Sequence, residues 1–69
     1  GGNNMAVIKL SEYYSDDQYK KVIIDKVEDR YKLSFYDYRI GGLIDSQFVD
    51  NQQTALVLAE DWTQGYGKD

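Results

Sequence analysis

Hydrophobic and polar residues alternate most cleanly from Tyr31 to Tyr38. On an extended chain Leu33 and Phe35 share one face, with Tyr31 before them and Asp37 after, and Lys32, Ser34, Tyr36 and Tyr38 share the other. This pattern predicts a strand with one side on a core and the other facing solvent, as in an antiparallel sheet covered on one side only.

The flanking segments fall into place around that strand. Ala6, Ile8 and Leu10 alternate with Val7, Lys9 and Ser11, which predicts a first strand over 6–13 with its even residues inward. Ser15-Asp16-Asp17-Gln18 is a polar turn whose short side chains can bond their own backbone. Tyr19–Val27 predicts a second strand that is apolar on both sides, Val22 and Ile24 on one and Ile23 and Val27 on the other, so alternation leaves its facing open. Glu28-Asp29-Arg30 contains no Gly or Asn to supply positive φ, which points to a longer loop built on a type I turn. Gly41-Gly42 marks the next reversal. Leu43–Phe48 predicts a fourth strand, with Ile44, Ser46 and Phe48 inward and Leu43, Asp45 and Gln47 outward.

A helix follows. Asp50 with Gln53 three residues on has the arrangement of a capping box. Ala55, Leu58, Ala59 and Trp62 then form an apolar stripe within about 100°, and Val57 points away from it. Gly65 is the expected stop. The fold expected from these elements is α+β: a four-stranded antiparallel meander with one C-terminal helix on one face, ββββα. It forms a single domain over 5–65, after a cloning remnant at 1–4 and before a frayed end at 66–69.

Length and charge narrow the picture. Sixty-nine residues are enough for one small core. There is no Cys for a disulfide framework, no apolar run near the roughly 20 residues a membrane span needs, and no signal-peptide pattern ahead of the fold, so the expected setting is cytoplasmic, away from any membrane. Twelve acidic residues outnumber eight basic ones, for a net charge of −4. A duplex-binding surface carries the opposite excess.

The same inventory lacks most catalytic chemistry. Without His or Cys there is no imidazole base, thiol nucleophile or ordinary transition-metal ligand set, and no phosphate-binding or nucleophile-elbow motif occurs. Asp16-Asp17 and Glu28-Asp29 lie in expected turns, where short acidic residues are commonplace, and Asp25, Asp37 and Asp45 fall on neighbouring strands without an implied cleft. The expectation is a non-enzyme without cofactor or metal.

Tyr31, Phe35, Gly42, Phe48, Ala55, Ala59 and Trp62 lie in an order that resembles the arm-type DNA-binding domain of phage integrases and the plant ethylene-response-factor domain. The likeness spans Tyr19–Trp62 and implies a sheet followed by a helix, with DNA read by the outer sheet face. The family places Arg, Lys and Trp there; this chain has Lys32, Tyr36 and Tyr38, with Arg39 in the following turn and Asp45 set against them. Ile8–Asp17 is similar to the strand-and-turn segment of the single-strand-binding transcription coactivators, although two further strands separate it here from the helix.

Lys32, Tyr36, Tyr38 and Arg39 are accordingly the candidate binding residues. Tyrosine offers large contact area at small entropic cost, with a polar tip. Small size, acidic balance and missing catalytic groups, a profile similar to phage-encoded accessory and inhibitor proteins, point first to a protein partner. Homodimerisation through the open edge of the first strand is one form of that reading. Nucleic acid stacked on the outer aromatics is the alternative.

Overall fold

The computed structural model describes residues 7–65. The expected remnant at 1–4, the inward Ala6 and the frayed end at 66–69 lie outside the described residues. Four strands, β1 (Val7–Tyr14), β2 (Lys20–Val27), β3 (Arg30–Asp37) and β4 (Gly42–Val49), are followed by one helix, α1 (Gln52–Gln64). The strands form one antiparallel sheet in the order β1-β2-β3-β4. This is the expected ββββα meander, with α1 on one face.

The core is small. Val22 and Ile24 of β2, Leu33 and Phe35 of β3, and Ala55 and Ala59 of α1 are buried, and Tyr13, Tyr31, Val49, Leu56, Leu58 and Trp62 pack around them. Two alanines at the centre of the helical stripe let α1 approach the sheet closely. Trp62 closes one end, its ring meeting Phe35 edge to face at 5.2 Å. Val57 points to solvent, as its helical position requires. The facing of β2 is resolved by its partners: Val22 lies opposite Phe35 and Ile24 opposite Leu33, so these pairs share the helix side.

Four details differ from the sequence expectation. In β1 the register shifts between Lys9 and Ser11. Ile8 stays in phase with the helix side, opposite Lys26, but beyond Leu10 it is Ser11 and Tyr13 that face inward, opposite Ile24 and Val22. A bulge adds one residue and thereby exchanges the faces of everything after it.

The second difference is in β4, where the register shifts opposite Phe35 and Tyr36. Asp45 and Gln47 pair with Phe35 and Leu33 on the helix side, and Ser46 and Phe48 point outward with Ser34 and Lys32, the reverse of the expected facing. Leu43, opposite Tyr36, is outward as expected. Val49 explains the choice at the end of the strand: it packs on the core just before the helix, and strand alternation then sends Phe48 to the other side.

Third, the β2–β3 connection is a two-residue turn, because Val27 pairs with Arg30. Glu28 adopts a φ of 59°, a left-handed conformation that the pairing on both sides imposes on a residue that does not favour it. Fourth, the helix cap is Asn51, not Asp50. Asn51 Oδ1 accepts from the backbone N–H of Gln53 at 2.7 Å and of Thr54 at 3.2 Å. Gly65 ends the helix with φ 78°, its N–H donating to the Asp61 carbonyl.

Candidate functional site

The helix covers one side of the sheet and leaves the other open. On that open side the paired residues form cross-strand rows. Tyr14, Lys21, Tyr36 and Leu43 make the first row, running from β1 to β4. Glu12, Ile23, Ser34 and Ser46 make the second. Lys9, Asp25, Lys32 and Phe48 make the third, and Val7, Val27 and Arg30 the last.

Two clusters of rings and cations stand on this face. In the first, Tyr36 and Tyr38 stack with centroids 6.0 Å apart and an interplanar angle of 20°. Lys21 Nζ lies over both rings, 4.9 Å from Tyr36 and 5.6 Å from Tyr38. The positive end of lysine meets the negative faces of the rings, an attraction of about 0.5–1 kcal/mol at an exposed site. The Tyr38 side chain beside it holds the Lys21 amine above the ordinary lysine range. In the second cluster Phe48 is overlain by the Arg30 guanidinium at 4.6 Å and approached by Lys32 Nζ at 6.0 Å.

Between the clusters runs a lower strip, where Ser34 and Ser46 oppose each other. Ser34 faces outward yet is only 8% exposed, because longer neighbours overhang it. The clusters are four residues apart along the strands, about 13 Å. Tyr14, Tyr38, Leu43 and Phe48 remain substantially exposed around them.

Of the four residues singled out from sequence, Lys32, Tyr36 and Tyr38 thus belong to one surface, with the two tyrosines in direct contact. Arg39 does not join them. Its Nε lies 3.4 Å from Asp37 Oδ1, and its guanidinium stands 5.3 Å from the Tyr19 ring. Asp37 also accepts from the Arg39 backbone N–H at 3.0 Å. That backbone bond, followed by the Arg39 side chain, holds the Asp37 carboxyl below the ordinary range. Arg39 braces the β3–β4 turn.

Arg39 also lines an open polar depression of about 730 Å³, with Ser15, Asp16, Asp17, Lys20, Thr63, Gln64 and Gly65. Several of its polar groups are already engaged. Asp17 Oδ1 accepts from Ser15 Oγ at 2.7 Å and from the Tyr19 N–H at 3.1 Å, and its pKa is lowered chiefly by the Ser15 bond. Lys20 Nζ donates to the Trp62 carbonyl at 3.4 Å and covers the Trp62 ring. These contacts tie the β1–β2 turn to the end of α1.

Among the described residues the carboxylates do not assemble into a reactive set. Asp25 is on the open face, while Asp37 and Asp45 are on the helix side. Among the described residues no group of three acidic side chains converges as a metal site would require. No described helix is long and apolar enough to cross a membrane.

Lys21, Arg30 and Phe48 are contributors that sequence reasoning missed. Lys21 would have followed from placing Val22 and Ile24 inward, a choice that β2 alone left open. Phe48 carried no such signal, since a lone Phe in a strand ordinarily reads as core. No protein-family model, curated protein or solved structure matches the chain.

Proposed function

We propose that the protein is a non-enzymatic interaction module that docks a protein partner on the open face of its sheet. The observation that carries this reading is the Tyr36–Tyr38 stack under Lys21. Its rings already stack on one another without a partner, which lowers the side-chain entropy still to be lost on binding. Tyr38 is 51% exposed within the stack and Leu43, 61% exposed, supplies apolar area beside it, the composition of an interface centre. The absence of His and Cys from the chain supports the non-enzymatic part of the reading.

Nucleic acid is the second reading, favoured by the same pairing of aromatic rings with cations. The pairing of Arg39 with Asp37 weakens it, since one of the four expected contacts is directed away from the face. Tyr36→Ala with Tyr38→Ala tests the docking surface directly. The double variant should keep the parental circular dichroism spectrum and lose at least tenfold in the capture of whatever protein the parent retains. Full capture by the folded double variant removes this face from consideration.

A further inference from the structure

Charge is unevenly distributed between the open face of the sheet and the rest of the molecule. The open face carries Lys9, Lys21, Arg30 and Lys32 against Glu12 and Asp25, a net of +2. The rest of the described chain carries three cations against nine carboxylates, a net of −6. Lys68 and Asp69 cancel, so the two parts together give the chain's −4. An acidic protein therefore presents a basic, aromatic surface where its helix leaves the sheet uncovered.

The cations on that face are also held in an uncommon way. Among the described residues, neither Lys21 nor Lys32 has a carboxylate within 4.0 Å; both are held by rings instead. Arg30 meets only Asp50, at 3.8 Å with the carboxylate 91% exposed, a pair that contributes little. Lys9 is matched to Glu12 at 2.6 Å. Glu12 acts on Lys21 from a distance and Asp25 lies opposite Lys32, but neither forms an ion pair with it. Both lysines can therefore pair with a partner's carboxylates, at the two ends of a strip formed by Ile23, Ser34 and Ser46.

We infer that the partner docked on this face is an acidic protein segment, with apolar side chains for the strip and carboxylates about 13 Å apart for Lys21 and Lys32. The assignment rests on the docking reading above and adds the chemistry of the partner. Opposite charge explains selection as well as attraction: a basic segment would meet two unpaired lysines and be rejected.

The test is an NMR titration of the full chain with a short synthetic peptide alternating glutamate with leucine and phenylalanine. The same peptide with lysine in place of glutamate, and oligothymidylate, serve as comparisons. Amide shifts should move on β2, β3 and β4 around Lys21, Ser34, Tyr36 and Phe48 with the acidic peptide, and stay unchanged with the basic one. Lys21→Glu and Lys32→Glu should each weaken binding about fivefold, since each exchanges an exposed ion pair for a repulsion.

Equal binding of both peptides, or shifts confined to the helix side, overturns the inference. So does oligothymidylate binding at the same residues more tightly than the acidic peptide, which assigns the face to nucleic acid. If the peptide fails to bind while Tyr36→Ala with Tyr38→Ala still abolishes capture, the acidic chemistry is wrong and the docking surface stands.

Discussion

Asn51 shows how much a single side chain settles. An uncapped helix leaves its first N–H groups without partners, and Asn51 Oδ1 satisfies two of them. Asp50, one residue earlier, is chemically as suitable but stands in solvent with its carboxylate toward Arg30. Asn51→Ala should therefore lower stability by about 1 kcal/mol in urea unfolding, whereas Asp50→Ala should stay within about 0.5 kcal/mol. The opposite ranking would return the cap to Asp50. Two neighbouring residues with equivalent oxygen acceptors cannot be told apart from sequence. The difference lies in φ and ψ, and Asn51 has the extended backbone a cap requires.

At the scale of elements, turns and bulges decide more than strand propensity does. The β2–β3 turn holds Glu28 at a φ of 59°, which an L-residue with a Cβ adopts at a cost of about 1–2 kcal/mol. Glycine would remove that cost and add unfolded-chain entropy, so Glu28→Gly should stabilise the hairpin by about 0.5 kcal/mol. Glu28→Val should destabilise it, because a β-branched side chain is worse still in this region. Thermal unfolding of the pair gives the answer, and a loss of stability in the glycine variant would contradict the strain. The absence of Gly and Asn from the turn favours a longer loop, and cross-strand pairing overrides that local preference. The bulges in β1 and β4 act similarly. Each lies on an edge strand, where it disturbs the flat row of free backbone groups that would otherwise invite another strand.

For the whole molecule, acidity is the natural test of how the pieces are tied together. Glu12, Asp17 and Asp37 all have lowered pKa values, each first because of a hydrogen bond: from Lys9, Ser15 and the Arg39 backbone respectively. A carboxyl whose folded pKa lies below its unfolded value contributes stability above the unfolded pKa, and that contribution is lost as pH falls through the folded one. The urea midpoint should thus be level from neutral pH to about 5 and fall below about 4. Asp37→Asn keeps an acceptor for the Arg39 N–H but no ionisable group, and should flatten part of that fall. The measurement belongs at physiological salt, where repulsion among the excess carboxylates off the open face is screened beyond about 8 Å. A midpoint that climbs steadily into acid would show that this repulsion outweighs the three bonded carboxylates.

The sequence by itself determined the element order, the ββββα class, the inward Leu33 and Phe35, the helical stripe and the Gly65 stop. Each rests on local periodicity or on the conformational range of one residue, and so is written along the chain. Tertiary structure alone decided the facing of β2 and β4, and with it the composition of the open face. A strand that is apolar on both sides has no register until a neighbour supplies one, and a single extra residue at a bulge exchanges its two faces. Lys32, Tyr36 and Tyr38 were legible as an outer row because β3 alternates without interruption. Lys21 and Phe48 joined them only through pairing across strands, and Arg39 left them because Asp37, buried at the end of the same strand, lies within its reach.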